Sequence, residues 1–285
     1  MRAAACAAAA CLCLAPAWCA KQYEVTGILL KVDRPNKSFV ASCAAIPGYM
    51  AAMAMPYSVR EEKALDGVQP GMQIDFTLVV DGGRSYAESL REHRFQSVTD
   101  EAFRARRLAL LDPNAGVSPL KLGQPIADFT LTDQTRKRIS LSQFAGKVVA
   151  ITFLYTSCPL PDYCFRMSNN FGQLNRRFAA KMGRDLILLS VSFDPGTDTP
   201  EVLAKYSKTW KADANTWHFL TGSLTEVKAV CAEFGLNFWQ DEGLLTHSLR
   251  TVVIDRQGRL AGDLDGNEFS AEQLGDLVQA TLERR

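Results

Sequence analysis

Val148-Val149-Ala150-Ile151-Thr152-Phe153-Leu154 runs straight into Tyr155-Thr156-Ser157-Cys158-Pro159-Leu160-Pro161-Asp162-Tyr163-Cys164. The first part carries no charge and is rich in β-branched and aromatic side chains, as a strand buried on both faces is. Beyond Cys164, the apolar positions Met167, Phe171, Leu174 and Phe178 recur at helical spacing, so the stretch reads as strand, thiol-bearing loop, helix. Unpaired N–H groups and the dipole at a helix start favour thiolates there. Two soft ligands in such a place point to thiol redox chemistry or to a thiophilic metal. The plain structural alternative is a disulfide that merely closes the loop.

Downstream, strands are expected at residues 186–193, 217–220 and 251–255. Helices are announced by Thr199-Pro200, with Pro at the first helical position, and by capping boxes at Ser223/Glu226 and Ser270/Gln273. Strands alternating with helices predict an α/β domain with a mixed sheet. The chain has three histidines, and His247 falls just before the 251–255 strand. As a third ligand type it favours metal over pure thiol exchange. His93 and His218 have no soft residue nearby and read as structural, and Cys231 falls on the apolar face of the helix after Ser223, as a core cysteine would.

Upstream the sequence reads differently. Residues 23–33, 37–43, 72–80 and 84–96 show strand patterning. They are separated by turn chemistry at Arg34-Pro35-Asn36-Lys37, Gln69-Pro70-Gly71 and Asp81-Gly82-Gly83. A small closed β-barrel is the expected solution. Between them Met53 and Met55 sit two apart, so on a strand they share a face, and Pro56 suggests an edge. With Cys43 they form a soft set; the alternative is a flexible core stripe.

The 285 residues, 47% hydrophobic, allow two domains, and a formal charge of +1 gives no reason to expect nucleic acid. Residues 1–20 read as a secretory or lipoprotein signal, with Cys19 a candidate lipidated residue. Four of the eight cysteines lie in that segment, and the remaining Cys43, Cys158, Cys164 and Cys231 are too scattered for a disulfide framework. Residues 98–117, charged and then Pro/Gly-bearing, read as a linker.

The strand, the paired-cysteine loop, the phrase Ser192-Phe193-Asp194-Pro195-Gly196-Thr197-Asp198-Thr199-Pro200 and the lone histidine before a Val-Ile-Asp strand resemble the thioredoxin-like Sco/SenC copper proteins over residues 118–285. The resemblance implies Cys158, Cys164 and His247 as ligands for copper, as Cu(I) or Cu(II). One departure is that the family usually has three residues between its cysteines where this chain has five. Asp194 and Asp198 match family positions and read as turn and capping residues. A generic thiol oxidoreductase of that fold puts a cis-proline before the late strand, where Leu249 and Arg250 stand here. Residues 21–97 resemble the CusF-like copper-binding barrel, with Met53 and Met55 at its Met-x-Met pair, Cys43 in place of its histidine and Tyr49 or Met50 near its aromatic position.

Together these resemblances imply two domains, a small all-β, OB-like barrel and a thioredoxin-like α/β domain, in an extracytoplasmic metallochaperone. Its acceptor would be the copper-bearing subunit of a respiratory cytochrome c oxidase or another copper protein, with a possible membrane tether. The alternatives are an extracytoplasmic thiol–disulfide oxidoreductase and periplasmic copper sequestration.

Overall fold

A computed structural model describes residues 20–93, 120–236, 238–241 and 244–284. The expected signal segment and linker lie outside these residues, apart from Ala20.

The long apolar run forms β8 (Val148–Leu154), with all seven residues buried. It pairs in parallel with β9 (Leu186–Ser192), equally buried. Each Leu or Ile fully buried in these two strands contributes about 1.5–3 kcal/mol. Around them lies a seven-stranded mixed sheet in the order β14-β13-β8-β9-β10-β6-β7. Its other members are β6 (Thr130–Asp133), β7 (Arg138–Ser140), β10 (Trp217–Thr221), β13 (Arg250–Ile254) and β14 (Leu260–Asp265). The helices are α1 (Arg166–Arg177), α2 (Pro200–Thr209), α3 (Leu224–Glu233) and α4 (Ala271–Glu283). Thr199 caps α2, and both expected capping boxes are formed, at Ser223/Glu226 and Ser270/Gln273. A two-stranded hairpin, β11 (Phe238–Asp241) with β12 (Leu244–His247), stands outside the sheet.

The first half is an antiparallel sheet in the order β3-β2-β1-β4-β5. Its strands are β1 (Lys21–Asp33), β2 (Ser38–Cys43), β3 (Met53–Ser58), β4 (Gln73–Asp81) and β5 (Arg84–Glu92). Phe39, Tyr57 and Phe76 fill its inner face with ring centroids 4.9–5.4 Å apart. The closed barrel expected from the sequence is not formed. The sheet curls until Val59 bridges Ala87, but among the described residues that single bridge is not followed by a ladder between β3 and β5. Pro56 lies on β3, an edge strand, where a missing N–H donor costs little.

The two sheets share an interface. Ile28 of β1 is buried in the core cluster of the seven-stranded half, whereas Val25 and Leu29 belong to the first sheet's own core. The Gln273 amide donates to the Ser42 carbonyl at 3.0 Å, and the Ser42 hydroxyl donates to Asp276 at 2.7 Å. Gly71, at φ +101°, lies against β14 so closely that a Cβ there would fall 2.1 Å from the Ala261 carbonyl oxygen. Only glycine fits that turn and that approach.

Candidate metal centre

Beyond β8 the chain turns at Thr156 and Ser157, and a buried carboxylate fixes the turn. Thr156 donates to Asp198 through its backbone N–H at 3.0 Å and its hydroxyl at 2.5 Å, and the Ser192 hydroxyl donates to the same group at 2.5 Å. The capping role expected for Asp198 is therefore corrected: its side chain ties the β9–α2 loop to the start of the cysteine loop. Burial raises its affinity for a proton against the pull of those three bonds. Asp194 is the turn residue it was expected to be, its carbonyl accepting the N–H groups of Thr197 and Asp198.

Cys158 is partly exposed and Cys164 is buried at the head of α1, below which Met167, Phe171 and Leu174 pack as their spacing predicted. A single wide helical turn, Pro161–Phe165, joins the loop to α1. The Cys158 sulfur has the Cys164 thiol, the His247 ring and the Cys164 N–H as donors around it, and its own thiol points to the Leu160 carbonyl at 3.7 Å. These donors draw its pKa far below the usual thiol range, whereas donating to Cys158, together with burial, pushes Cys164 up. The two cysteines are thus unequal, Cys158 giving up its proton the more readily.

His247 ends β12, opposite Phe238 across the hairpin. Its Nδ1 lies 3.0 Å from the Ser248 carbonyl and donates to it. Phe193 lies 4.5 Å from the ring and Tyr155 meets it edge-on at 5.8 Å. Two sulfurs and an imidazole are a chemically suitable donor set for Cu(I) or Cu(II). The donors converge on Cys158, although no three His, Cys, Asp or Glu side chains among the described residues are drawn into a finished coordination shell.

The first sheet brings its candidates onto one face without joining them. Cys43 opposes Met53 and Ala41 opposes Met55 across β2 and β3, so all four point to the concave side. Met53 is 45% exposed at the rim, Met55 is half-buried, and Cys43 is fully buried. A Cβ on Gly27 would fall 2.8 Å from the Cys43 sulfur, so the sulfur leans over β1, away from the methionines. Burial lifts this thiol to about 11, with the buried Tyr57 hydroxyl beside it. Tyr49 stacks on Tyr23 with centroids 4.5 Å apart.

The remaining candidates fall where their structural reading placed them. Cys231 is buried on α3. His218 pairs with Asp133 at 3.1 Å, and His93 lies between Asp75 and Glu268.

The SCO1/SenC family profile matches residues 120–283. The SCO1 protein homolog of Bacillus subtilis is 26% identical over 155 residues, covering 52% of this chain and 77% of that protein. A protein of Stutzerimonas stutzeri, named for an inferred copper-binding role, is 29% identical over 165 residues, covering 55% of this chain and 77% of its own. The crystal structure of a SCO1/SenC family lipoprotein from Bacillus anthracis superposes with a TM-score of 0.51 at 24% identity, covering 58% of this chain and all of that one. This likeness is one of fold, the thioredoxin-like arrangement of the second half. With the profile running from the segment before β6 to the end of α4, over more than half its length, the chain belongs to the SCO1/SenC family.

Proposed function

We propose that this protein is an extracytoplasmic copper metallochaperone that delivers copper to, or prepares the copper site of, a respiratory cytochrome c oxidase. The observation that carries the reading is the approach of His247, at the end of the hairpin, to the Cys158–Cys164 pair of the cysteine loop. The family and the copper-associated relative support it, and the apolar segment before Lys21 supports the location. Residues 21–97 would form a second copper-binding unit, CusF-like in its Met-x-Met pair, joined by residues 98–117 to the family domain at 118–285. In the first unit, Met53 and Met55 would meet a cargo ion at the rim, and Cys43 would have to turn from Gly27 toward them to take part.

The reduced full-length chain is expected to bind copper through Cys158, Cys164 and His247. Optical titration of Cys158→Ser plus Cys164→Ser should lose the sulfur-to-copper charge-transfer bands of the wild type; spectra unchanged by the double substitution would remove the assignment. In a Cu(I) competition assay that isolates the first unit on this background, Met53→Leu plus Met55→Leu should weaken binding about tenfold or more, because leucine preserves volume but removes the thioethers. Intact affinity would make the methionines core residues only.

The unequal thiols favour a second reading, thiol–disulfide exchange, since an exposed low-pKa cysteine beside a buried one is also what an exchange reaction needs. Rapid turnover of a disulfide substrate by the metal-free protein, undiminished by His247→Ala, would promote that reading over copper handling.

A further inference from the structure

The loop between the two cysteines is held from outside. The Asn267 side-chain amide donates to the Asp162 carbonyl, in the middle of that loop, at 2.7 Å. The neighbouring Glu268 places an oxygen 3.0 Å from Nε2 of His93, which follows β5 in the first sheet. On its other side His93 has Nδ1 2.9 Å from Asp75 on β4, and Asp75 accepts the Thr26 hydroxyl of β1 at 2.7 Å. The His93 side chain is only 11% exposed, so the anchoring end is packed; Glu268, at 54%, is the looser link.

The same turn grips the other arm of the site. Gly266 donates its N–H to the Leu249 carbonyl at 3.1 Å, two residues beyond His247. The Asp265 N–H is itself held by the Gln73 side chain of the first sheet at 2.9 Å. Residues 265–268 therefore touch the cysteine loop, the exit of the histidine hairpin and the first sheet at once.

We propose that this turn is a clamp through which the docked first sheet sets the geometry of the cysteine pair, with Asn267 the positioning residue and His93 its anchor. The proposal rests on Cys158 and Cys164 being a functional pair and not on copper. The Asn267 contact is made with the two cysteines unbridged, and the clamp assigns it to that form, so its loss favours the disulfide.

The test uses the metal-free full-length chain equilibrated with glutathione. The Cys158 thiolate attacks glutathione disulfide and releases one glutathione, and Cys164 then displaces the second. Two protein thiols and one disulfide become one protein disulfide and two glutathione thiols, so electrons and protons balance. Asn267→Ala is expected to move this equilibrium two- to five-fold toward the protein disulfide, the scale of one partly exposed polar contact. His93→Gln and Glu268→Gln should move it the same way by less, and His93→Gln should add nothing in the Asn267→Ala background. Arg136→Ala, which breaks the exposed Arg136–Glu201 pair elsewhere on the molecule, should leave it unchanged.

Melting curves identify any variant that unfolds. If Asn267→Ala does, the His93 and Glu268 variants decide the matter. An equilibrium unmoved by these two in folded chains would overturn the clamp. Loss of copper binding in the optical titration would count against the copper reading alone and leave this result standing.

Discussion

At the scale of single residues, the buried polar groups are the most informative. Asp198 reads in the sequence as a capping residue, because Asp before Thr-Pro at a helix start is what capping looks like. Its use to hold Thr156 is invisible there, since the partners lie 42 residues apart. His218 shows how burial sets pH dependence. Desolvation lowers its pKa below the ordinary 6.5, against the pull of Asp133, and Nε2 is buried with no partner. Protonation would add a second buried N–H with nothing to accept it. The unfolded chain takes up that proton as pH falls below about 6.5 while the folded chain resists it. The stability contributed by neutral His218 is therefore present above 6.5 and lost as pH falls through the lowered folded value. Urea melts at stepped pH should show this decline in the wild type and a shallower one in His218→Gln. Parallel curves would assign the acid sensitivity elsewhere.

At the scale of elements, legibility followed local signal strength. β8, β9 and α1 were readable because long uncharged runs and a regular apolar stripe leave one assignment open. The caps of α2, α3 and α4 were readable because a capping box is a local motif. The hairpin that carries His247 was not, for its strands are four residues each and pair only with one another. β14 was hidden by Gly262 and two aspartates, and forms because β13 pairs along its length and Asp263 is held by Arg250 at 2.8 and 3.0 Å. The cysteine loop and the lone histidine stand out in the sequence as candidate ligands, whereas Asn267, Glu268 and His93 carry no motif at all. The cap of α3 offers a clean check. The Ser223 hydroxyl accepts the Glu226 N–H, and the Glu226 carboxylate accepts the Ser223 N–H, holding the Glu226 pKa at about 2. Ser223→Ala should cost about 1 kcal/mol in chemical denaturation, and a loss under a quarter of that would show the cap to be redundant with packing.

At the scale of the whole molecule, the two sheets are joined by packing, the first lending Ile28 to the core of the second and Gly71 lying close on β14. Gly71→Ala should destabilise the full chain by about 2 kcal/mol or more, through a backbone clash and a left-handed φ together. Calorimetry should then show the first sheet melting ahead of the rest; a wild-type profile would mean that the interface tolerates a shift of the backbone. Ser42 and Asp276, bonded across this interface, are separated by 234 residues, and α4 supplies the surface on which β1 and β2 lie. Closure of so long a loop comes late in folding. During synthesis, β1 emerges from the ribosome long before its partner exists and must wait, with Ile28 uncovered, until α4 has been made. The two halves can close on each other only once residues 271–283 have left the ribosome, so the first sheet spends most of translation without the surface it packs on.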